Sequence, residues 1–184
     1  MDQGAKYYEK YLDGDIAGLE ELVREYRYGL ILYINGIVRD TFAAEDLCED
    51  TFFRLMVKRP KFDGRSSFKT WLYGIGRNLA LDMIKHEKRL IRVDLESAEA
   101  KADRELLEQS YIDSERKKAL LSQLDELPRT ERELIWLSYF EDMSAKEVSS
   151  LTGRTVAAVN KALSRAREKL REKMESEGYG NEDQ

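Results

Sequence analysis

Asn160, Lys161, Ser164 and Arg165 recur at steps of three and four residues, the spacing that gathers side chains on one face of an α-helix. Such side chains read a duplex: short polar groups near a helix start reach base edges, and ammonium and guanidinium groups meet phosphates. Ala158 shares that face, Arg154 and Thr155 stand just ahead of it, and Arg167, Lys169, Arg171 and Lys173 continue the positive charge. Double-stranded DNA is the partner this pattern implies. A solvated basic face on an amphipathic helix would use the same residue types, so the segment alone leaves both readings open.

Two further sets of residues carry chemistry. Pro60-Lys61-Phe62-Asp63-Gly64-Arg65 reads as a loop with an Asp-Gly turn, followed by a helix on which Arg77, Asn78, Lys85, Lys88 and Arg89 are open to solvent. Cations beside aromatics suit an unpaired nucleic-acid strand, whose bases stack on rings while its phosphates meet charge. The competing reading places Phe68 and Trp71 in a core. Upstream, Glu45, Asp46, Glu49, Asp50 and Arg54 share the polar side of another helix, which is either merely solvated or a docking surface for a basic partner.

The elements that must position these residues follow from local signals. Ser144 and Glu147 stand in the S-x-x-E relation of a capping box, so a helix starts at Ser144 and runs to about Thr152. Gly153 supplies the positive φ of the turn, and Thr155 caps the next helix, whose buried stripe is Val156, Val159, Leu163, Ala166 and Leu170. This is a helix-turn-helix. A helix over about Ala43 to Lys58 buries Ala44, Leu47, Cys48, Thr51, Phe52, Leu55 and Met56, which puts Cys48 in a core. Ser66 or Ser67 caps a helix from Phe68 to about Arg89 with Trp71, Leu72, Ile75, Leu79 and Met83 as its core. The only prolines, Pro60 and Pro128, fall at helix boundaries and no strand-like alternation occurs, so the expected class is all-α.

Charge divides the chain. The net charge is −5, yet Lys and Arg exceed Asp and Glu by eight over residues 54–92 and by five over 146–173. Between these blocks the acidic segment 93–115, with Asp94, Glu96, Glu99, Asp103, Glu105 and Glu108, has too few large apolar side chains to bury much, and it reads as a linker. Two small helical domains, 1–92 and 116–184, are therefore expected within 184 residues, each making its own contact with a polyanion. At 42% hydrophobic residues both can hold a packed core.

No apolar run approaches the ~20 residues needed to span a bilayer, and Met1-Asp2-Gln3-Gly4 lacks the order of a signal peptide. One cysteine permits no internal disulfide, consistent with a reducing cytoplasm. Catalysis finds little to work with. His86 is the only histidine, the metal ligands are too few for zinc, and Gly74-Ile75-Gly76 lies inside a helix with Leu79 where a dinucleotide fingerprint needs its third glycine. No catalytic residue, cofactor or metal is expected.

The order Ala44-Glu45-Asp46-Leu47, Ser67-Phe68-Lys69-Thr70-Trp71-Leu72, Arg77-Asn78-Leu79-Ala80-Leu81-Asp82, Leu127-Pro128-Arg129-Thr130-Glu131-Arg132-Glu133 and Ser164-Arg165-Ala166-Arg167-Glu168-Lys169-Leu170 resembles the extracytoplasmic-function sigma factors of bacterial RNA polymerase. The likeness covers nearly all of the chain outside the linker and tail. It implies a non-catalytic subunit whose first domain holds the promoter −10 element and helps open it, and whose second domain reads the −35 element. By this resemblance Glu45, Asp46, Glu49 and Asp50 dock on the β′ clamp helices, and the second domain meets the β flap. Lys61, Phe62, Asp63, Arg65, Ser66, Ser67, Phe68, Arg77, Asn78 and Lys85 meet the −10 element and its melted non-template strand. Arg154, Thr155, Ala158, Asn160, Lys161, Ser164 and Arg165 meet the −35 element. The linker passes near the polymerase active site, and an anti-sigma factor holds the free protein inactive. The chain departs from the pattern at Gly74 and Ile75, where primary sigma factors carry a tryptophan pair, and at Arg154 and Ala157 around the second helix's start. A free-standing helix-turn-helix regulator would explain residues 128–173 equally well, but it leaves the basic, aromatic first half without a role.

Overall fold

The computed structural model describes residues 2–91, 123–124 and 126–176. The chain forms two compact units, Met1–Asp103 and Arg104–Gln184. The expected linker, 93–115, lies outside the described residues.

Among the described residues four helices build the first unit: α1 (Gln3–Leu12), α2 (Ala17–Val38), α3 (Thr41–Lys58) and α4 (Phe68–Ile91). The starts of α1, α3 and α4 are set by side-chain acceptors that satisfy first-turn amides. Asp2 accepts from the Ala5 N–H, Asp40 from Ala43, and Ser67 from Thr70 at 3.3 Å, which makes Ser67 the cap of α4. Helix α3 begins two residues before the expected Ala43, because Asp40 caps it. It stops where Arg59 turns left-handed and Pro60 cannot continue. The core brings Leu22, Leu30, Ile31 and Ile34 of α2 against Ala44, Cys48 and Leu55 of α3 and Leu72, Tyr73 and Ala80 of α4.

Two expected stripes shift. On α4 the buried set is Phe68, Thr70, Leu72, Tyr73, Gly76 and Ala80, while Trp71, Ile75, Leu79 and Met83 are half-buried. The cause is Gly76: a Cβ there would stand 3.0 Å from Leu30 and 3.1 Å from Ile34, so the smallest residue marks the line of closest approach to α2 and the larger ones flank it. On α3, Met56 is 41% exposed instead of buried, leaving Ala44, Leu47, Cys48, Thr51, Phe52 and Leu55 as the core face.

In the second unit, Gln123 and Leu124 are helical and buried. Helix α5 (Arg129–Ile135) follows Pro128 and runs into a π-helical turn, Trp136–Phe140, whose Trp136 and Phe140 rings stack 4.5 Å apart. Then come α6 (Ala145–Thr152) and α7 (Val156–Ser176). Ser144 and Glu147 form the capping box, each satisfying the other's backbone N–H, and Gly153 takes φ 71°. Val159, Ala162, Leu163, Ala166 and Leu170 are buried on α7. Val156, expected in that stripe, is 42% exposed: it is the first helical residue, and burial begins one turn later.

Candidate nucleic-acid interface

The start of α7 is held from both sides. The Thr155 hydroxyl accepts the Ala158 N–H at 3.2 Å, and the Ser149 hydroxyl of α6 donates to the Arg154 carbonyl at 2.6 Å. This fixes the turn between the two helices and aims the first turns of α7 outward. Arg154, Thr155, Ala158, Asn160, Lys161, Ser164 and Arg165 are all exposed. Among the described residues no ion pair or side-chain hydrogen bond engages Asn160, Lys161, Ser164 or Arg165.

The second half of α7 differs. Lys169 pairs with Glu131 of α5 at 2.8 Å, Lys173 pairs with Glu126, and Arg171 lies 2.9 Å from Glu168 and 3.8 Å from Glu175. Arg167 Nε donates to the Leu163 carbonyl at 3.4 Å. Of these four cations, expected to continue the DNA-facing charge, Lys169, Arg171 and Lys173 thus face carboxylates, while Arg167 meets only a backbone carbonyl; among the described residues the cations of α7 without a carboxylate partner are Lys161, Arg165 and Arg167.

In the first unit the 59–67 loop stands on an aromatic floor. Phe68 is fully buried, its ring 5.5 Å from Tyr8, 5.9 Å from Tyr26, 5.5 Å from Phe62 and 5.4 Å from Trp71. It is core, and the expectation that it touches a nucleic-acid strand is corrected: with no accessible face it has nothing on which a base can stack. Trp71, by contrast, is half-buried. Phe62 is half-buried too and packs edge-on against Phe68, which anchors the loop. Lys61, Asp63 and Arg65 are exposed at the tip, where Asp63 accepts the Arg65 N–H at 3.1 Å and pairs with its Nε at 3.2 Å around Gly64, φ 71°. Ser66 donates to the Ser67 carbonyl, and Ser67 is occupied as the cap of α4. Farther along α4, Arg77 is half-buried, Asn78 is exposed, and Lys85 pairs with Asp82 at 3.3 Å, both largely exposed. The loop and α4 thus bring most of the expected residues to one stretch of surface chain.

The outer face of α3 presents Asp46, Glu49 and Asp50, with Glu45 half-buried, and none of the four is paired among the described residues. Four large apolar residues lie exposed among them: Phe42 at 78%, Phe53, Met56 and Val57. Sequence reasoning did not single out Phe42, Phe53 or Val57. Their spacing of 11 and 15 residues from Phe42 returns to the same helical face as Asp46 and Glu49, and that was the available signal. Beneath, Cys48 is fully buried, donates to the Arg27 carbonyl at 3.6 Å, and has its thiol pushed up to about 12 by burial, with Arg27 opposing. It is an inert core residue. Among the described residues no group of His, Cys, Asp and Glu is arranged to hold a metal ion, and no helix is long and apolar enough to cross a membrane.

The sequence matches two family models in order, Sigma-70 region 2 over residues 22–90 and Sigma-70, region 4 over residues 117–170. It is 27% identical to the ECF RNA polymerase sigma factor SigW of Bacillus subtilis over 170 residues, covering 88% of this chain and 91% of that protein. It is 34% identical over 143 residues to a probable RNA polymerase sigma factor, RfaY, of Xanthomonas campestris pv. campestris, covering 76% of this chain and only 36% of that longer protein. The fold is similar to that of the sigma factor RpoE from Bartonella quintana, solved with the anti-sigma factor NepR, with a TM-score of 0.64 at 23% identity over 85% of this chain and 96% of that one. Both regions are thus present on a chain whose described elements are all helical and bury a core in each unit, and the chain belongs to the extracytoplasmic-function sigma factors of RNA polymerase.

Proposed function

We propose that this sigma factor joins core polymerase through the outer face of α3 and reads promoter DNA with two separate surfaces. The unpaired carboxylates Glu45, Asp46, Glu49 and Asp50 suit the basic clamp helices of β′, and exposed Phe42, Phe53 and Val57 add apolar contact. Apolar patches rimmed by charge are what protein interfaces look like before their partner arrives. Residues 1–92 then serve as the core-binding and −10 domain, 93–115 as the linker, and 116–184 as the −35 domain, which also meets the β flap. Lys61, Phe62, Asp63, Arg65, Ser66, Arg77, Asn78 and Lys85 face the −10 element and its melted non-template strand, while Ser67 aims α4 as its cap. Helix α7 enters the major groove, where Arg154, Thr155, Ala158, Asn160, Lys161, Ser164 and Arg165 meet the −35 element. The chain works by binding, without a catalytic step of its own, in the cytoplasm beside the polymerase. The complex of the Bartonella sigma factor with its anti-sigma factor supports an inhibitor of that kind here.

The observation that carries this reading is the division of charge on α7, where Lys161 and Arg165 are exposed and unpaired while Lys169 and Lys173 are held by Glu131 and Glu126. Its test is promoter binding with and without core enzyme. Two modest contacts need a scaffold to raise their effective concentration, so the free chain binds weakly and the holoenzyme tightly. Asp46→Arg and Glu49→Arg abolish assembly with core while melting temperature barely moves, because exposed substitutions change stability by only ~0.5 kcal/mol. Equal promoter affinity with and without core, together with normal assembly of both variants, would overturn the reading in favour of a free-standing regulator.

A further inference from the structure

Helix α1 lies outside the residues that the region 2 model matches, yet it grips both ends of the 59–67 loop. At the loop's start the Tyr11 hydroxyl donates to the Met56 carbonyl at 2.9 Å and the Tyr8 hydroxyl to the Pro60 carbonyl at 2.8 Å. Met56 is in the last turn of α3, where carbonyls have no partner within their own helix, and Tyr11 supplies one. The Arg59 guanidinium lies 5.2 Å from the centre of the Tyr11 ring. At the loop's end one oxygen of Asp2 accepts the Phe68 N–H, the first of α4, while its other oxygen accepts the Ala5 N–H at 3.3 Å. A single carboxylate therefore serves two helix starts.

Between these ends the rings of Tyr8 and Phe62 bracket the Phe68–Trp71 pair. Tyr8 lies 5.5 Å from each, and Phe62 lies 5.5 Å and 5.3 Å from them. The approach of α1 is close: a Cβ on Gly4 would stand 2.6 Å from both the Phe68 ring and the Tyr26 hydroxyl. Burial pushes the Tyr8 phenol up to about 12, so it remains a donor across the neutral range. Within the loop Arg59 is exposed where it leaves α3, and so is the tip, Lys61 and Asp63 to Arg65.

We propose that α1 is a positioning element: by fixing where the loop leaves α3 and enters α4, Tyr8 and Tyr11 set the path of the exposed tip and thereby the base preference at the −10 element. This rests on reading the loop as part of the −10 surface. A loop free at one end samples many paths, and a group that must meet a base edge loses its directional hydrogen bonds when its approach varies by an ångström or so. Holding both ends removes that freedom before DNA arrives, so discrimination is not spent on ordering the loop.

The experiment uses the full chain assembled with core polymerase, transcribing one promoter library randomised at the −10 element and another randomised at the −35 element. Tyr8→Phe, Tyr11→Phe and the double variant keep every ring and remove only the hydroxyls. Lys61→Ala and Arg65→Ala test the loop itself. The double variant compresses the −10 ranking by about three- to tenfold between best and singly altered elements, the loss two modest hydrogen bonds imply, and leaves the −35 ranking and core affinity in place. General destabilisation lowers all promoters together and does not imitate this. Amide exchange at residues 61–65 accelerates in the same variant, and if the double variant melts early the Tyr11→Phe single variant decides the outcome. An unchanged −10 ranking in the hydroxyl variants, with Lys61→Ala or Arg65→Ala altering it, overturns the proposal and leaves the loop's role standing. No change in any of the five overturns both.

Discussion

The basic loop of the first unit and the basic helix of the second are held by different kinds of contact. In the second unit the parts that aim α7 lie within a few residues of each other: Ser144 with Glu147, Ser149 with Arg154, and Thr155 with Ala158. In the first unit the loop is fixed by partners 45, 52 and 66 residues away, through Tyr11, Tyr8 and Asp2. A helix-turn-helix carries its own geometry in short sequence; a loop resting on an aromatic floor borrows its geometry from the rest of its unit. The teaching is that equal charge does not mean equal robustness, since the loop's shape is lost by any change that moves α1.

The largest effect that separates the two comes from Gly18. A Cβ there would lie 2.3 Å from the Tyr7 carbonyl oxygen and 2.7 Å from the Tyr11 nitrogen, backbone atoms that cannot yield without parting α1 from α2. Gly18→Ala therefore destabilises the first unit by about 3 kcal/mol, toward the upper end of what overpacking costs. Native-state amide exchange checks it: protection falls throughout α1 to α4 while α6 and α7 keep theirs. Equal loss in both units would mean that they unfold as one body, and the contrast between local and borrowed geometry would collapse.

That contrast also explains what was legible in the sequence. The capping box at Ser144, the turn at Gly153 and most of the α7 stripe follow from residues that see each other at short range, and they stand as read. The acidic face of α3 was legible as well, because a stripe of Ala44, Leu47, Cys48, Thr51 and Leu55 defines its opposite. The buried stripe of α4 was not, because the rule that large apolar residues line the core fails where Gly76 lets two helices close up. Phe68 beside Lys69 looked equally like a stacking platform and a core ring, and only the positions of Tyr8, Tyr26, Phe62 and Trp71 decide it. The ion pairs of Lys169 and Lys173 with Glu131 and Glu126 span 38 and 47 residues, beyond any local pattern.

A smaller effect tests base reading on α7. Asn160 and Ala158 lie exposed in its first turns, so changing either should reorder −35 elements, with about 1–3 kcal/mol at stake per good base contact. Asn160→Ala and Ala158→Gln are scored by in vitro transcription from a library of upstream elements, with Lys161→Ala as the comparison that weakens all elements alike. A Lys161→Ala variant that reorders the library, beside an inert Asn160→Ala, would exchange the roles along the helix. Arg154, whose carbonyl is pinned by Ser149, would then be the place to look for a changed docking angle.

The smallest effect is the sharpest division, because it splits one helix. Each phosphate contact releases counterions and adds roughly 0.9 to the slope of log affinity against log salt, so a cation that meets DNA leaves a signature that a structural cation does not. Lys161 and Arg165 are exposed and unpaired, whereas Lys169 and Lys173 already face carboxylates and have little charge left to offer. Lys161→Ala and Arg165→Ala should each lower the slope by about 1 with stability unchanged. Lys169→Ala and Lys173→Ala should leave the slope alone and cost at most ~1 kcal/mol of stability, the ordinary worth of an exposed ion pair. The measurement is holoenzyme binding to a −35 duplex over a range of salt, paired with thermal melting of each variant. Loss of slope from Lys169→Ala or Lys173→Ala would mean that Glu131 and Glu126 release their partners when DNA arrives. The second half of α7 would then belong to the interface after all, and the carboxylates of the second unit would act as competitors of DNA for those two side chains.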